Sequence, residues 1–354
     1  MTHTLASFYR GKRVLVSGHT GFQGGWLVAW LRLLGAEVCG FGLPPATRPN
    51  FFDATILDRG ITSIFADIRD RNALATAFSE LQPEIVIHCA TQAHLKTARL
   101  DPVQTFATNV MGTIHVLEEV RQTEAVRAVV ITSRGEACAE TAWLWSSREQ
   151  NFFGASEPIS PSFGAAELAT SAYIGSFFAK TKTGVGIARM ANLIGGGDWA
   201  EGRLVPDIVR NIGADESIVV HDDRATGWQH VLEAARTHLL LGKKLYEEGP
   251  RHSGAWDFTP TESDRMAPGE LAKTFVEQWG DGNAQIELRA DSSAPKAFAR
   301  PNTNTSRAQL GCPTLFRLEE AIAWTVEWYR NYYSAPHAAC RVTEEQIERF
   351  MRLK

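Results

Sequence analysis

The chain contains 354 residues with a formal net charge of −4, and 44% of them are hydrophobic, which is typical of a globular protein. This charge argues against a protein built around nucleic-acid phosphates, because such proteins carry a basic surface. The five cysteines are scattered and lack CxxC spacing, which argues against a disulfide scaffold or a zinc site. No apolar run reaches the length of a membrane span, and the first residues lack the apolar core of a signal peptide. We therefore expect a cytoplasmic protein with no nucleic-acid or membrane partner.

The first half of the chain alternates strand-like and helix-like patterns. Short apolar runs predict strands at 14–17, 37–41, 61–66, 85–88 and 128–132. Amphipathic stretches between most of these runs predict helices at roughly 22–34, 71–81 and 104–121. Because parallel strands need crossover helices, the alternation predicts an α/β fold with a doubly wound parallel sheet of about seven strands.

The second half begins with a long predicted helix at about 160–182, which Ser160 or Ser162 could cap, and a strand at 185–190. The later elements are shorter and mixed, with helices near 270–279 and 317–333. A capping-box pattern from Thr343 to Gln346 predicts a terminal helix. We expect a first domain over 1–190, a smaller α/β lobe over 191–340 that is interleaved with it, and a helix over 341–354.

The stretch VLVSGHTGFQGGWLVAWL is the strongest local signal for a ligand. An apolar strand runs into Gly18, Gly21 and Gly24, which open a helix. The first glycine allows a tight turn, the second lets the backbone approach a pyrophosphate, and the third lets helix and strand pack closely. The position between a strand and a helix favours a dinucleotide site over a plain turn.

The spacing GxxGxxG resembles the extended short-chain dehydrogenase/reductase superfamily, which implies a Rossmann fold and an NAD cofactor. The resemblance extends to ADI at 66–68, CATQ at 89–92, NVMGT at 109–113 and ITS at 131–133. Besides the three glycines, it implies cofactor contacts from Thr20, Phe22, Asp67, Ile68, Ala90, Thr91, Gln92 and Asn109.

Within that superfamily, the chain resembles CDP-glucose 4,6-dehydratases over about 8–333. The matching runs are SGHTGFQGGWL, ATNVMGTIHVLE, ARMANLIGGGDWAEGRLVPDIVR and WQHVLE. The resemblance implies a nucleotide-sugar substrate and a homodimer that pairs two helices, about 103–121 and 160–182, into a four-helix bundle. It also implies substrate contacts from Asn192, Gly197, Asp198, Trp199, Arg203, Leu204 and Arg224.

The sequence departs from this family where the chemistry is expected. The stretch ISPSF falls on the YxxxK motif, so that Ile159 and Phe163 replace the tyrosine and the lysine. Such a positioned general base contributes typically about 10²–10⁴ in rate. The acidic residue and its neighbour that serve water elimination are replaced by Arg134 and Gly135, and Glu136 stands one place late.

Three residues stay candidates for catalysis: Thr132, Ser133 and Glu136. The phosphate-binding arginine expected before WQHV is replaced by Thr226, which leaves Arg224 as a stand-in. Ile159 and Phe163 lie four residues apart and share one helical face, which we expect to form an apolar wall beside the nicotinamide position.

A second departure concerns the cofactor. A carboxylate about 20 residues beyond the glycine loop normally binds the adenosine ribose. Pro44 occupies that position, and the first carboxylate after it is Asp53. Arg48 could bind the 2′-phosphate of NADP. We therefore expect NAD, with NADP as an alternative, and an affinity below that of relatives.

Two classes of function follow from these patterns. The first is a sugar-nucleotide lyase of the dehydratase type whose acid/base groups have been replaced. The second is a non-catalytic protein that binds cofactor or sugar nucleotide, in one version as the partner of an active paralogue.

Overall fold

A seven-stranded parallel sheet organises the first half of the chain. The computed structural model describes residues 2–135, 157–214, 217–221, 225–260, 265–280, 285–289 and 304–353. The strands are β1 Arg13–Ser17, β2 Glu37–Gly42, β3 Thr62–Phe65, β4 Ile85–His88, β5 Ala128–Arg134, β6 Gly184–Met190, β7 Asn192–Ile194, β8 Ile218–His221, β9 Thr226–His230, β10 Gly254–Asp257, β11 Arg265–Met266 and β12 Ile286–Arg289. The large sheet has the order β10-β6-β5-β4-β1-β2-β3. Every neighbouring pair in it is parallel, which confirms the predicted sheet.

The remaining described strands form two small sheets. β9 lies between β7, its parallel neighbour, and β11, its antiparallel neighbour, while β12 pairs with β8 in parallel. The large sheet also includes β10, which comes from the second half of the chain and pairs with β6. The domain boundaries at 190 and 340 stay a prediction.

The helices alternate with the strands through the first half and then dominate the chain. They are α1 Thr2–Tyr9, α2 Phe22–Leu33, α3 Phe51–Ala54, α4 Arg71–Leu81, α5 Leu95–Leu100, α6 Pro102–Phe106, α7 Gly112–Gln122, α8 Ile159–Tyr173, α9 Leu204–Ala214, α10 Val231–Glu248, α11 Pro268–Trp279, α12 Asn304–Leu310, α13 Leu318–Ser334 and α14 Ala339–Met351. A π-helical turn, Ala107–Met111, joins α6 to α7, and a second one, Ile174–Phe178, extends α8. No helix in these ranges is long and apolar enough to cross a membrane.

Apolar side chains cover both faces of the sheet. Val14 and Val16 of β1 belong to one buried cluster, which also holds Trp26 of α2. Leu15, between them, belongs to a second cluster with Leu74 of α4 and others. Because successive side chains of a strand point to opposite faces, this division is what a doubly wound sheet requires.

The predicted cap of α8 is wrong. The helix begins at Ile159, and the carboxylate of Glu157 accepts hydrogen bonds from the backbone N–H groups of Ile159 at 2.6 Å and Ser160 at 2.8 Å. Ser162 lies inside the first turn, where its hydroxyl donates to the carbonyl of Ile159. The carboxylate two residues before the helix therefore satisfies the free N–H groups that a serine was expected to satisfy.

The predicted capping box of the terminal helix is also wrong, although the helix itself is present. α14 begins at Ala339, and Thr343 lies in its second turn, donating its hydroxyl to the carbonyl of Ala339. The helix packs against α2 through Trp30 and Phe350, whose ring centroids are 5.7 Å apart. The apolar face of α14 therefore fixes the helix, and the capping motif does not.

Candidate functional site

A cavity of about 620 Å³ opens at the carboxyl ends of the central strands. Its wall includes Gly18 after β1, Cys89 after β4, Thr132 at the end of β5 and Met190 at the end of β6. In parallel α/β sheets, ligands bind outside the carboxyl ends of the strands. The topology therefore places this cavity where a ligand site is expected.

The glycine loop forms part of the cavity wall. Gly18 has a φ of +73°, and a Cβ there would lie 2.7 Å from the backbone nitrogen of Ala90. A Cβ on Gly24 would lie 2.2 Å from the carbonyl oxygen of Gly18. Gly21 precedes α2, and no side chain caps its first N–H groups. These features leave a helix N-terminus open to an anion, as a dinucleotide pyrophosphate requires.

The other predicted cofactor residues divide into two groups. Gly18, Thr20, Gly21, Phe22, Gly24 and Thr91 line the cavity. Asp67, Ile68, Ala90, Gln92 and Asn109 lie outside its wall.

Two residues of the second group have clear partners within the protein. The Arg69 guanidinium lies 2.6 Å from the Asp67 carboxylate and holds its pKa below the ordinary value, chiefly through their hydrogen bond. Asn109 is buried and accepts a hydrogen bond from the backbone N–H of Gln92 at 2.7 Å. It also donates to the hydroxyl of Ser162 at 2.8 Å, so it ties the loop after β4 to α8.

The loop after β2 reaches the cavity through Ala46, Thr47 and Asn50. Pro44 and Arg48 are exposed and do not line it. The structure thus brings the polar side chains of Thr47 and Asn50 to the cavity, whereas Pro44, where a ribose-binding carboxylate was expected, does not reach it.

Ile159 and Phe163 line the cavity, as expected. They are 3% and 4% exposed, and they form a small apolar cluster with Ala98 of α5. The N-terminal turn of α8 therefore presents hydrocarbon to the cavity.

Ser133 lines the cavity, but its hydroxyl donates to the Glu167 carboxylate at 2.6 Å. Glu167 also forms an ion pair with Arg189 of β6 at 2.5 Å. Because this carboxylate is buried, the serine and the arginine are its compensating partners. Ser133 therefore joins β5, β6 and α8.

Thr132 is bound differently. Its Oγ1 lies 2.9 Å from Nε2 of His238 and 3.2 Å from Sγ of Cys89. His238 belongs to α10, more than a hundred residues further along the chain, and is fully buried. Thr132 lines the cavity, whereas His238 stands behind it.

Arg134 also lines the cavity. Glu136, the third catalytic candidate, and Arg224, the expected phosphate contact, lie outside the described residues.

The predicted substrate residues line the same cavity, mostly from the loop that follows β7. Asn192, Gly197, Asp198, Trp199, Arg203 and Leu204 all line it. Gly197 has a φ of +85°, and a Cβ there would lie 2.3 Å from the ring of Phe51. The loop is held by α13, because the hydroxyl of Tyr329 donates to the carbonyl of Asp198 and accepts from its N–H.

Arg203 supplies positive charge to the cavity wall. Its guanidinium donates to the buried carboxylate of Asp198 at 3.0 Å, while its side chain keeps 37% of its surface exposed. The pKa of His94, which also lines the cavity, is lowered by burial and then by the charge of Arg203. A fixed, partly open guanidinium suits a phosphate oxygen.

Sequence reasoning missed Gln23, His94, Glu157 and His238. Glu157 and His94 had a usable signal, because both stand within a few residues of a quoted motif. His238 had none, since it lies among leucines on an amphipathic helix. The described residues hold no group of three or more His, Cys, Asp or Glu side chains that could bind a metal.

Comparison with known proteins identifies the family. Residues 14–253 match the model of the NAD dependent epimerase/dehydratase family. CDP-glucose 4,6-dehydratase from Salmonella typhimurium is 36% identical over 333 residues, covering 92% of each chain. The dTDP-4-dehydro-6-deoxy-D-allose reductase of Streptomyces bikiniensis is 29% identical over 67% of this chain and 74% of its own.

Solved structures share the fold at lower identity. UDP-glucose 4-epimerase from Thermotoga maritima, solved with UDP-glucose, has a TM-score of 0.74 at 20% identity and covers 90% of this chain and 99% of its own. The dTDP-glucose 4,6-dehydratase of Bacillus anthracis, solved with NAD, has a TM-score of 0.73 at 18% identity, with 92% and 98% covered.

The buried histidines predict how stability depends on pH. Burial lowers the pKa of His88 and His238 to about 4 and that of His230 to about 3. An unfolded histidine titrates near about 6.5, so between these values the unfolded state binds more protons. We expect the free energy of unfolding to be highest above pH 6.5 and to fall toward pH 4, by up to about 1.4 kcal/mol per pH unit for each histidine.

Urea unfolding between pH 4.5 and 7.5 checks this slope. His230→Gln should reduce it by the contribution of one histidine, whereas His337→Gln, at an exposed position, should leave it unchanged. An unchanged slope in His230→Gln would contradict the assignment of His230 as a neutral buried group.

Proposed function

The chain belongs to the NAD-dependent epimerase/dehydratase family, and from that premise we propose that it binds NAD and a nucleotide diphosphosugar of the CDP-hexose type. We propose further that it acts on the sugar by altered acid/base chemistry. One observation carries the proposal: the glycine loop at Gly18, the loop at Gly197 and Arg203, and Thr132 all line a single cavity.

The glycine loop is the support for the dinucleotide. Gly18, Gly21 and the start of α2 would hold the pyrophosphate. Thr20, Phe22 and Thr91 line the same cavity. The nicotinamide, when bound, accepts and returns a hydride. NAD is the expected cofactor. NADP is the alternative, because Pro44 leaves the adenosine ribose hydroxyls without the carboxylate that usually binds them.

The support for the sugar nucleotide is the loop that follows β7. Arg203 would bind a phosphate oxygen, and Asp198 fixes its guanidinium. Asn192 and Trp199 line the same cavity as this cation and Thr132. The similar Salmonella typhimurium protein is a CDP-glucose 4,6-dehydratase, and we therefore propose a hexose as the sugar and cytosine as the nucleobase.

Ile159 and Phe163 set the limit on the chemistry. Neither side chain holds a proton that it can transfer, and neither donates a hydrogen bond. The family's usual reaction therefore lacks its general base in this chain, at a cost of about 10²–10⁴ in rate. The same two residues support the alternative, a non-catalytic protein that binds these ligands beside an active paralogue.

We predict that the purified protein, given CDP-glucose and NAD, forms 4-keto-6-deoxy product at least about 10²-fold more slowly than the Salmonella typhimurium dehydratase in the same assay. Product is measured by mass spectrometry of the nucleotide sugar over time. An equal rate would show that the substituted positions are not the site of the general base.

Calorimetric titration of NAD, NADP and CDP-glucose separates the two alternatives. Binding with slow turnover supports the altered enzyme, and binding without turnover supports the non-catalytic protein. Absence of heat with all three ligands, checked against intrinsic fluorescence, would overturn the proposed function in both forms.

We predict that Ile159→Tyr, Phe163→Lys binds the dinucleotide more tightly than the unaltered protein. The change restores two hydrogen bonds, each contributing about 0.5–1.5 kcal/mol, which is at most about tenfold in affinity per bond. Turnover should stay low, because Arg134 and Gly135 still provide no acid for water elimination. Calorimetry gives the affinity, and Ile159→Leu, Phe163→Met is the control that keeps the wall apolar. A folded double variant with unchanged affinity would mean that the two side chains do not face the cofactor.

A homodimer is the proposed assembly. Exposed apolar side chains lie at the end of α5, on α6, on the π turn before α7, on α8 and on the π turn after α8, and they are Leu100, Val103, Phe106, Met111, Leu168 and Phe177. An exposed apolar face of this kind marks an interaction surface, and two copies of it would form a four-helix bundle.

We predict that Val103→Glu converts the dimer to a monomer in sedimentation equilibrium. Leu353→Glu, at an exposed position beyond α14, is the matched control and should leave the mass unchanged. If the Val103→Glu variant stays a dimer, the interface lies elsewhere. If the unaltered protein is a monomer, the proposed homodimer is wrong.

We assign the protein to the cytoplasm. The support is chemical: Cys39, Cys89, Cys312 and Cys340 are all free thiols in the described chain, as a reducing compartment favours.

A further inference from the structure

A buried histidine stands directly behind the only hydroxyl group that β5 leaves available to the cavity. Ser133 donates its proton to Glu167, whereas Thr132 contacts Nε2 of His238 at 2.9 Å. His238 is 0% exposed. The groups that face its ring are Thr132 from β5, Gln23 from α2 and the carbonyl of Ala234 from its own helix.

The hydrogen bonds fix which ring nitrogen carries the proton. Nδ1 of His238 lies 2.7 Å from the carbonyl oxygen of Ala234, which can only accept. Nδ1 therefore carries the hydrogen, and in the neutral ring Nε2 is an acceptor. It follows that the Thr132 hydroxyl donates to Nε2, with the side-chain amide of Gln23 as a second donor at 3.3 Å.

Cys89 completes the environment of Thr132. Burial raises the pKa of the Cys89 thiol to about 12, so the group stays a neutral S–H. With its hydrogen directed to His238, the threonine oxygen accepts from Cys89 at 3.2 Å. A hydroxyl oxygen has two acceptor sites, so one remains for a ligand in the cavity.

We propose that Thr132 and His238 form a proton relay that replaces the phenol absent at position 159; the proposal rests on the proposed function. A hydroxyl of the bound sugar donates to Oγ1 of Thr132. As its carbon loses a hydride to the nicotinamide, the O–H proton passes to Oγ1, and the threonine proton passes to Nε2 of His238. The sugar C–OH becomes C=O, Thr132 is regenerated, and His238 becomes a cation until the proton returns.

The cavity wall also contains His94, Asp198, Glu201 and Glu157, and of these the carboxylate of Glu157 lies next to the start of α8, where Ile159 stands. Both of its oxygens already accept hydrogen bonds, from Ile159 N–H and from the N–H and hydroxyl of Ser160. Moving a proton onto Glu157 would release the N-terminus of α8. The Thr132–His238 pair needs no such rearrangement, because the accepting nitrogen already faces the donating hydroxyl.

Burial sets the strength of this relay. It lowers the pKa of His238 to about 4, so the ring is neutral and ready to accept at neutral pH. The same burial disfavours the cation that the step produces. His238 is therefore a positioning residue that also takes a proton, and it is a weaker acceptor than a phenolate beside a lysine. A weaker acceptor is consistent with the slow turnover predicted above.

Variants of the full-length protein test the relay with CDP-glucose and NAD. We measure the formation of reduced nicotinamide in a single turnover and the dissociation constant of CDP-glucose by calorimetry. His238→Gln keeps an acceptor for Thr132 but cannot take its proton, so the rate should fall by about 10²-fold with little change in the dissociation constant. Thr132→Val should lose the same rate, and Thr132→Ser should retain most of it.

His230→Gln is the matched control, since His230 is equally buried and caps the helix that carries His238, but its ring accepts from the N–H of Leu232 and not from Thr132. A rate that is unchanged in His238→Gln overturns the relay and leaves the proposed function standing. Equal losses in His238→Gln and His230→Gln also overturn it, because they show general damage. A wild-type protein that binds CDP-glucose and NAD but never reduces the nicotinamide overturns the relay and the enzymatic form of the proposed function together.

A spectroscopic test does not need turnover. In protein labelled with [¹⁵N]histidine, the His238 resonances, assigned by their loss in His238→Gln, should show hydrogen on Nδ1 and none on Nε2. The Nε2 resonance should shift in Thr132→Val. The opposite tautomer, or an Nε2 signal insensitive to Thr132, would overturn the relay whatever the activity.

Discussion

The site depends on one close backbone approach, that of Gly18 to the loop after β4. Gly18 adopts a φ of +73°, and any side chain there would meet the backbone of Ala90 at 2.7 Å. This contact aligns the glycine loop with the ends of β4 and β5, so that the start of α2 and Thr132 open into one cavity. A larger residue would separate these loops, and the anion-binding helix end would no longer share a cavity with the strand that carries the hydroxyl group.

The framework around α8 is held by polar contacts as well as by apolar packing. Glu157 satisfies the first N–H groups of the helix, Asn109 binds Ser162, and Glu167 joins Ser133 to Arg189. Ile159 and Phe163 add a buried apolar contact with Ala98. A hydroxyl group left unpaired in a buried site would be costly. Thr132 avoids that cost through His238, so a threonine beside an apolar wall is compatible with a stable fold.

The sequence predicted what depends on local periodicity. The helix predicted at 71–81 is α4, Arg71–Leu81, and the strands of the large sheet follow the apolar runs. It failed at helix ends, because Ser160 and Thr343 had the right chemistry but the chain entered each helix at another residue. It could not predict the Thr132–His238 contact, since only the packing of α10 on β5 brings these residues together. Likewise, Asp67 was assigned from its position in a motif, and its pairing with Arg69 needed side-chain geometry.

The groups suited to bind phosphates and the groups suited to move a proton lie on different elements of this architecture. The charged and backbone groups suited to phosphates belong to the start of α2 and to the loop at Asp198–Arg203, which α13 supports through Tyr329. The hydroxyl and imidazole groups suited to move a proton belong to β5 and α10. Under the proposed function, the acid/base groups can therefore change while the phosphate-binding loops stay as they are, because the buried histidine contacts Thr132 from behind the cavity wall.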